Sequence, residues 1–136
     1  MMREPPTDAV LTQLKAAAGP GGWTDAADVL APRLVDWRGR KHGRSPLLLR
    51  PDSVAALQAI VRIAAEYGVG LVPQGGNTGM VGGSVPEADG ASVLVGLDRM
   101  ARIRAIDAEG AALTAEAGVV LQAVHDAAAR MGCVFP

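Results

Sequence analysis

Apolar and polar positions follow two different periods along this chain, and glycine and proline mark the changes from one to the other. Apolar residues at helical spacing begin after Thr7 and Asp8, either of which can cap a helix. They run to about Ala18, where Gly19-Pro20-Gly21-Gly22 stops them. Residues 23–45 hold no sustained period; Ala31-Pro32 and the stretch from Gly39 to Gly43 read as loop or short helix. Pro46-Leu47-Leu48-Leu49-Arg50 is a short apolar strand closed by Pro51. Asp52 or Ser53 can cap a helix from Val54 to Tyr67, which Gly68 ends. Its Gln58, Arg62 and Glu66 recur as one polar stripe, which assigns Val54, Leu57, Ile60, Val61 and Ala64 to the buried face. Gly70-Leu71-Val72-Pro73 is a second strand. Strand, helix and strand in this order form a βαβ unit, which favours parallel pairing of its two strands and a right-handed crossover.

A loop over residues 74–90 comes next, then an apolar strand, Ser92-Val93-Leu94-Val95. Arg102 to Asp107 and Ala111 to Glu116 read as two strands of a hairpin around Ala108-Glu109-Gly110. Gly118 precedes a helix over about 120–131, with Leu121, Val124, Ala128 and Met131 on its apolar face and Gly132 at its end. Cys133-Val134-Phe135 opens something new just before the last residue, Pro136. Domains seldom finish on the opening of a strand, so the chain is expected to be part of a longer protein. It has no internal repeat and no low-complexity segment.

Composition narrows the function classes. The chain has 136 residues, 13 Lys plus Arg against 14 Asp plus Glu, and a formal net charge of −1. That length suits one domain or a piece of one. The balance leaves no electrostatic footprint for nucleic acid, and one Tyr, one Phe and two Trp make no stacking platform for bases. Arg38, Arg40, Lys41 and Arg44 form the one basic cluster, expected to be a solvated loop. Cys133 is the sole cysteine, so no internal disulfide can form. This fits a reducing compartment, the cytoplasm, and its apolar context suggests a buried small hydrophobe. No run is apolar enough to span a bilayer, and Met1-Met2-Arg3-Glu4-Pro5-Pro6 does not read as a signal peptide.

The chemistry concentrates in Pro73-Gln74-Gly75-Gly76-Asn77-Thr78-Gly79-Met80-Val81-Gly82-Gly83-Ser84, which holds five of the 17 glycines. Glycine lets a backbone approach a ligand with no Cβ in the way. Successive N–H groups in such a loop can form a nest for anionic oxygens. Asn77 and Thr78 add short polar side chains able to reach phosphate or ribitol hydroxyls. A loop leaving the carboxyl end of a strand is the usual ligand position in α/β folds. A Walker A loop is excluded, because no Lys followed by Ser or Thr comes after the last glycine. A Rossmann fingerprint is excluded by spacing, and because Pro86-Glu87-Ala88-Asp89-Gly90 follows where a helix should start. Two readings stay open on these grounds: a site for a phosphate-bearing ligand, or a surface hairpin or lid with an unusual turn.

Arg44-Ser45-Pro46-Leu47-Leu48-Leu49-Arg50-Pro51, the helix after it, and the glycine run with its continuation Val85-Pro86 resemble FAD-linked oxidoreductases of the vanillyl-alcohol oxidase (PCMH-type) fold. The nearest branch is the D-2-hydroxyglutarate dehydrogenases, beside the D-lactate dehydrogenases and the glycolate oxidase flavin subunit. The helix from Gly118 past His125 and Gly132-Cys133-Val134-Phe135-Pro136 fit the same order. The resemblance implies an α+β domain over 46–136, behind a helical lead-in over 1–45. It would contain the first βαβ subdomain and the start of the second. It also implies that the FAD pyrophosphate is wrapped by the backbone of Gly75, Gly76, Asn77, Thr78 and Gly79. Gly82, Gly83 and Ser84 would support the next turn, and Pro73 and Gln74 would set the strand exit.

Relatives that bind flavin covalently carry a His at the position of Asn77, so the resemblance implies dissociable FAD. It further implies a second flavin-contacting segment and a substrate domain with basic and metal-liganding residues, beyond the residues given. No catalytic or metal-liganding residue is expected within the chain. His42 and His125 read as surface residues too separate for a metal site, and Glu87, Asp89 and Asp98 as loop solvation and capping. The parent chemistry would be oxidation of a small D-2-hydroxy acid to the 2-oxo acid. The alternatives are another flavoenzyme of this fold, or a non-catalytic FAD-binding piece that needs a complementing chain.

Overall fold

The computed structural model describes residues 4–136; Met1 to Arg3, read above for a targeting segment, lie outside the described residues. Helix α1 (Asp8–Ala18) leads into a two-residue strand, β1 (Trp23–Thr24), then a short helix, α2 (Ala27–Leu30), and a 3-10 turn at Ala31–Arg33. Strand β2 (Leu48–Leu49), helix α3 (Val54–Tyr67) and strand β3 (Gly70–Gln74) follow. The glycine-rich loop then leads to β4 (Ser92–Gly96). A hairpin of β5 (Ile103–Asp107) and β6 (Ala112–Ala115) precedes helix α4 (Leu121–Arg130). Among the described residues no helix is long and apolar enough to cross a membrane.

The first four strands form one sheet in the order β1-β2-β4-β3. Strand β1 pairs antiparallel with β2, while β2 and β3 both pair parallel with β4. The expected direct pairing of the βαβ strands therefore does not occur, because β4 inserts between them. The expected strand over 46–50 also shortens to Leu48–Leu49, since pairing with β1 and β4 reaches only those two residues.

Both faces of this sheet are covered, which explains the uninterrupted Leu47-Leu48-Leu49 run, all fully buried. Leu47, Leu49 and Val93 face α1 and α3, packing with Val10, Leu14, Ala18 and Ile60. Leu48 and Leu94 face the other way onto Leu30, with Leu34 and Val72 beside them. Alternation along the strands thus serves two separate apolar layers. Helix α1 and strand β1 belong to this arrangement as fully as the residues after 45.

Helix α3 is capped by Ser53, whose Oγ accepts from the Ala56 N–H at 3.3 Å, and ends at Gly68 in the left-handed region. Its buried face is rotated from the expected one. Ile60 and Ala64 are buried and Ile63 packs against the core cluster that holds Ile60, whereas Val54 and Val61 are 46% and 48% exposed. These two valines sit beside the polar stripe of Gln58, Arg62 and Glu66 rather than opposite it. Thr7 occupies the cap position of α1, but only its backbone carbonyl contributes, accepting from Leu11 N–H at 2.9 Å. In α4 the buried residues are Ala127 and Ala128, while Leu121 and Met131 of the expected apolar face are exposed. Cys133 is half-buried rather than buried, since it follows the exposed turn that ends α4.

Candidate functional site

The glycine-rich loop leaves the sheet at Gln74, the last residue of β3. The Gln74 side chain points inward and is 2% exposed. Its Nε2 donates to the carbonyl oxygens of Arg33 and Ser84, both at 2.9 Å, and its Oε1 accepts from Arg33 Nη1 at 3.3 Å. The amide therefore ties the start of the loop to its far end and to the 3-10 turn.

Asn77 makes a second tie. It lies in the left-handed region at φ 54°, which Asn tolerates better than most residues. Its Nδ2 donates to the Val35 carbonyl at 2.8 Å, and its Oδ1 accepts from Ser84 Oγ at 2.8 Å. Both polar ends of the Asn77 side chain are spent within the chain, so a ligand meets its backbone. Thr78, Met80 and Val81 are exposed along the outer part of the loop, and Pro73 is exposed on β3.

Glycines of this chain divide by what requires them. A Cβ on Gly43 would run into Pro86, and one on Gly118 into the Leu97 carbonyl, so tight packing excludes side chains there. At Gly75 and Gly83 a Cβ would meet nothing within 4 Å, and at Gly76 and Gly79 only a single atom at 3.8 Å. None of these four takes up the left-handed backbone that favours glycine. Nothing inside the protein requires glycine at these places. Gly82 differs, with φ 74° and the Lys41 side chain against it. Among the described residues, no backbone N–H of residues 75–84 donates within the chain. A run of unspent N–H groups on bare backbone is what an anion-binding nest needs.

The basic cluster lies beside this loop. The backbone N–H groups of Arg40 and Lys41 converge on Asp36 Oδ1, both at 2.6 Å, and hold the Asp36 carboxyl below its ordinary range, Lys41 contributing most. Val35 bridges His42 across the turn, and Lys41 pairs with Glu87 at 2.7 Å. Arg38, Arg40, His42 and Arg44 are exposed, in keeping with the expected solvated loop. Asp89 caps the N–H of Ala91 at 2.9 Å. Asp98 does more than cap: it pairs with Arg50 and approaches Arg33 at 4.0 Å, joining the exits of β2 and β4. Arg50 keeps that carboxyl below its usual range. His125 lies tilted against Phe135 with ring centroids 5.9 Å apart, and among the described residues no three His, Cys, Asp or Glu side chains gather as a metal site.

Residues 45–136 match the family described as "FAD binding domain". The chain belongs to this family. Its cofactor is FAD, and its fold is the PCMH type. Curated relatives of this FAD-binding domain include a probable mitochondrial D-2-hydroxyglutarate dehydrogenase of Oryza sativa subsp. indica, 36% identical over 126 residues. That match covers 93% of this chain and 22% of the relative. A putative mitochondrial D-lactate dehydrogenase of Schizosaccharomyces pombe is 34% identical over 83% of this chain and 21% of its own length. The chain thus spans about a fifth of the length of the curated relatives it matches. Among solved structures, an alkyldihydroxyacetonephosphate synthase superposes with a TM-score of 0.80 at 18% identity, over 97% of this chain and 26% of that one. p-Cresol methylhydroxylase superposes with a TM-score of 0.74 at 18% identity, over 95% of this chain and 27% of that one. The FAD-binding domain offers bare backbone and free donors at the 73–84 loop, a surface that suits the pyrophosphate of its cofactor.

Sequence reasoning reached this loop through its glycine excess. It missed Arg33 and Val35, which support the loop from the lead-in, and Asp36, which shapes the basic turn beside it. Val35 acts through its carbonyl and Arg33 partly so, and a carbonyl carries no residue-type signal; Asp36 was detectable only as a turn-capping carboxylate.

Proposed function

We propose that residues 73–84 hold the FAD pyrophosphate, in a protein that oxidises a D-2-hydroxy acid of the 2-hydroxyglutarate or lactate type. One observation carries the reading of the loop: Gly75, Gly76, Gly79 and Gly83 are glycines that internal packing does not need, in a segment whose N–H groups are unspent. The backbone of Gly75, Gly76, Asn77, Thr78 and Gly79 would meet the phosphate oxygens. Gly82, Gly83 and Ser84 would carry the following turn, and Pro73 and Gln74 the exit from β3. Bound flavin supplies two-electron acceptance from the substrate carbon. These 136 residues hold and orient the cofactor, and we assign no catalytic residue among them. The names of the relatives support the hydroxy-acid class.

The flavin is held without a covalent bond in this reading. An amide nitrogen is a poor nucleophile, and that of Asn77 already donates to Val35. We also place the protein in the cytoplasm, where a single thiol stays reduced. Recovery with mitochondria on fractionation would overturn that placement.

Titrating the full chain with FAD tests the reading of the loop. Flavin fluorescence should quench on binding, Gly75→Ala and Gly76→Ala should weaken binding by about tenfold or more, and acid precipitation should release all the flavin. Wild-type affinity in both variants would remove the loop from the site. Dye reduction with D-2-hydroxyglutarate or D-lactate, by the protein assembled with whatever completes it, tests the substrate class; no reduction with either refutes it.

A further inference from the structure

We propose that Asn77 is a positioning residue for the cofactor: its side chain sets the loop conformation in which the free N–H groups meet the pyrophosphate. This rests on the reading of the 73–84 loop given above. Three observations carry it. Asn77 lies in the middle of the glycine run and takes a left-handed backbone there, which turns the chain. Its amide reaches two places that the loop itself cannot hold: the Val35 carbonyl in the lead-in, and Ser84 Oγ at the loop's far end. The residues around it, Gly75, Gly76 and Gly79, have no side chains with which to brace themselves. Without Asn77 the middle of the loop would be secured at its two ends alone, through Gln74.

The energetic argument is one of preorganisation. A glycine-rich backbone loses more conformational freedom than any other when it orders around a ligand. Two internal hydrogen bonds made before binding meet that cost in advance, so binding no longer bears it. One acceptor, Val35, lies ahead of the 45–136 stretch that matches the family. The lead-in is then part of the cofactor apparatus, acting at one remove from the ligand.

Asn77→Gly is the informative variant. It removes both side-chain bonds, yet tolerates the same positive φ. Ser84→Ala removes one bond and leaves the tie to Val35. The full chain and both variants are titrated with FAD and, separately, with ADP, which carries a pyrophosphate without the flavin. Thermal midpoints and 15N heteronuclear NOE values of residues 75–83 are measured on the unliganded proteins. Asn77→Gly should weaken FAD and ADP together by about 10- to 30-fold, Ser84→Ala by less. The NOE values should fall in the same order, and the thermal midpoint should fall by less than it does for Gln74→Ala, because Asn77 is only half-buried. Wild-type affinity in Asn77→Gly, with the parent chain still binding FAD, would overturn the positioning role and leave the pyrophosphate site intact. Weakened binding with unchanged NOE values and a thermal midpoint lowered as far as in Gln74→Ala would also overturn it, as general destabilisation. Failure of the parent chain to bind either ligand would refute the site and the positioning role together.

Discussion

Glu116 and Arg102 hold each other through backbone and side chain: the Arg102 N–H donates to Glu116 Oε2 at 2.9 Å, the Glu116 N–H donates to the Arg102 carbonyl at 2.9 Å, and Arg102 Nε donates to Glu116 Oε1 at 3.3 Å. The pair closes the open end of the β5–β6 hairpin. Arg104 adds a contact to the same carboxylate at 2.8 Å. The hydrogen bond from the Arg102 backbone, then those from Arg104 and the Arg102 side chain, lower the Glu116 pKa from 4.5 to about 2. A group whose folded pKa is depressed binds protons more readily unfolded, so stability falls as pH falls. The contribution is complete above pH 4.5 and is lost between there and about pH 2. Urea midpoints at several pH values should decline through that window. Glu116→Gln should start lower at neutral pH and decline less steeply.

The two kinds of glycine should respond in opposite ways to a methyl group. Gly43→Ala and Gly118→Ala place it against backbone atoms of Pro86 and Leu97, which cannot turn aside as a side chain can. Each should destabilise by about 3 kcal/mol or more, read as a lowered urea midpoint. Gly75→Ala and Gly83→Ala meet open space and should leave that midpoint within about 0.5 kcal/mol of the parent. A large stability loss at Gly75 would show an internal need for glycine there.

Neighbouring residues of α3 give a test of its rotation. Ile60 is fully buried between α1 and the sheet, and Ile60→Ala should cost about 2–5 kcal/mol. Val61 is 48% exposed, and Val61→Ala should cost under about 0.5 kcal/mol. Equal losses in chemical denaturation would mean that the helix turns its other side inward.

Gln74→Ala leaves the carbonyl oxygens of Arg33 and Ser84 without their shared donor. An unsatisfied buried polar group costs about 1–3 kcal/mol. A loss of about 2–4 kcal/mol is expected in urea denaturation, since two acceptors are involved.

Much of the fold was legible because glycine and proline punctuate it. Helices α1 and α3 were bounded by Gly19 and Gly68, and the hairpin by its polar turn, each for a local reason. Strand β1 was not legible: Trp23 and Thr24 become a strand only by pairing with Leu49 and Leu48, well ahead in sequence. The same holds for the place of β4. Nothing in residues 92–96 says that it enters between two strands already joined by a helix. On α3 the polar stripe identified the outer side, but apolar residues run on beside it, so the stripe alone did not locate the centre of the buried side. The candidate site divides likewise. Five glycines in a short run single out the 73–84 stretch through composition, as a ligand loop or an unusual turn. The partners that steady it are carbonyl groups of Arg33 and Val35, which every residue type carries alike.

Strand β3 lies at the rim of its sheet. Gly70 N–H donates to Ala91 and the Gln74 carbonyl accepts from Leu97, so these alternate positions turn toward β4. Leu71 and Pro73 then turn outward, and Pro73 has no N–H to offer. A stray strand approaching that rim finds a single donor, Leu71, between Gly70 and Gln74. A proline here blunts an edge that would otherwise invite self-association. Pro73 thus makes the strand that leads into the 73–84 loop a poorer template for pairing with another copy of the chain.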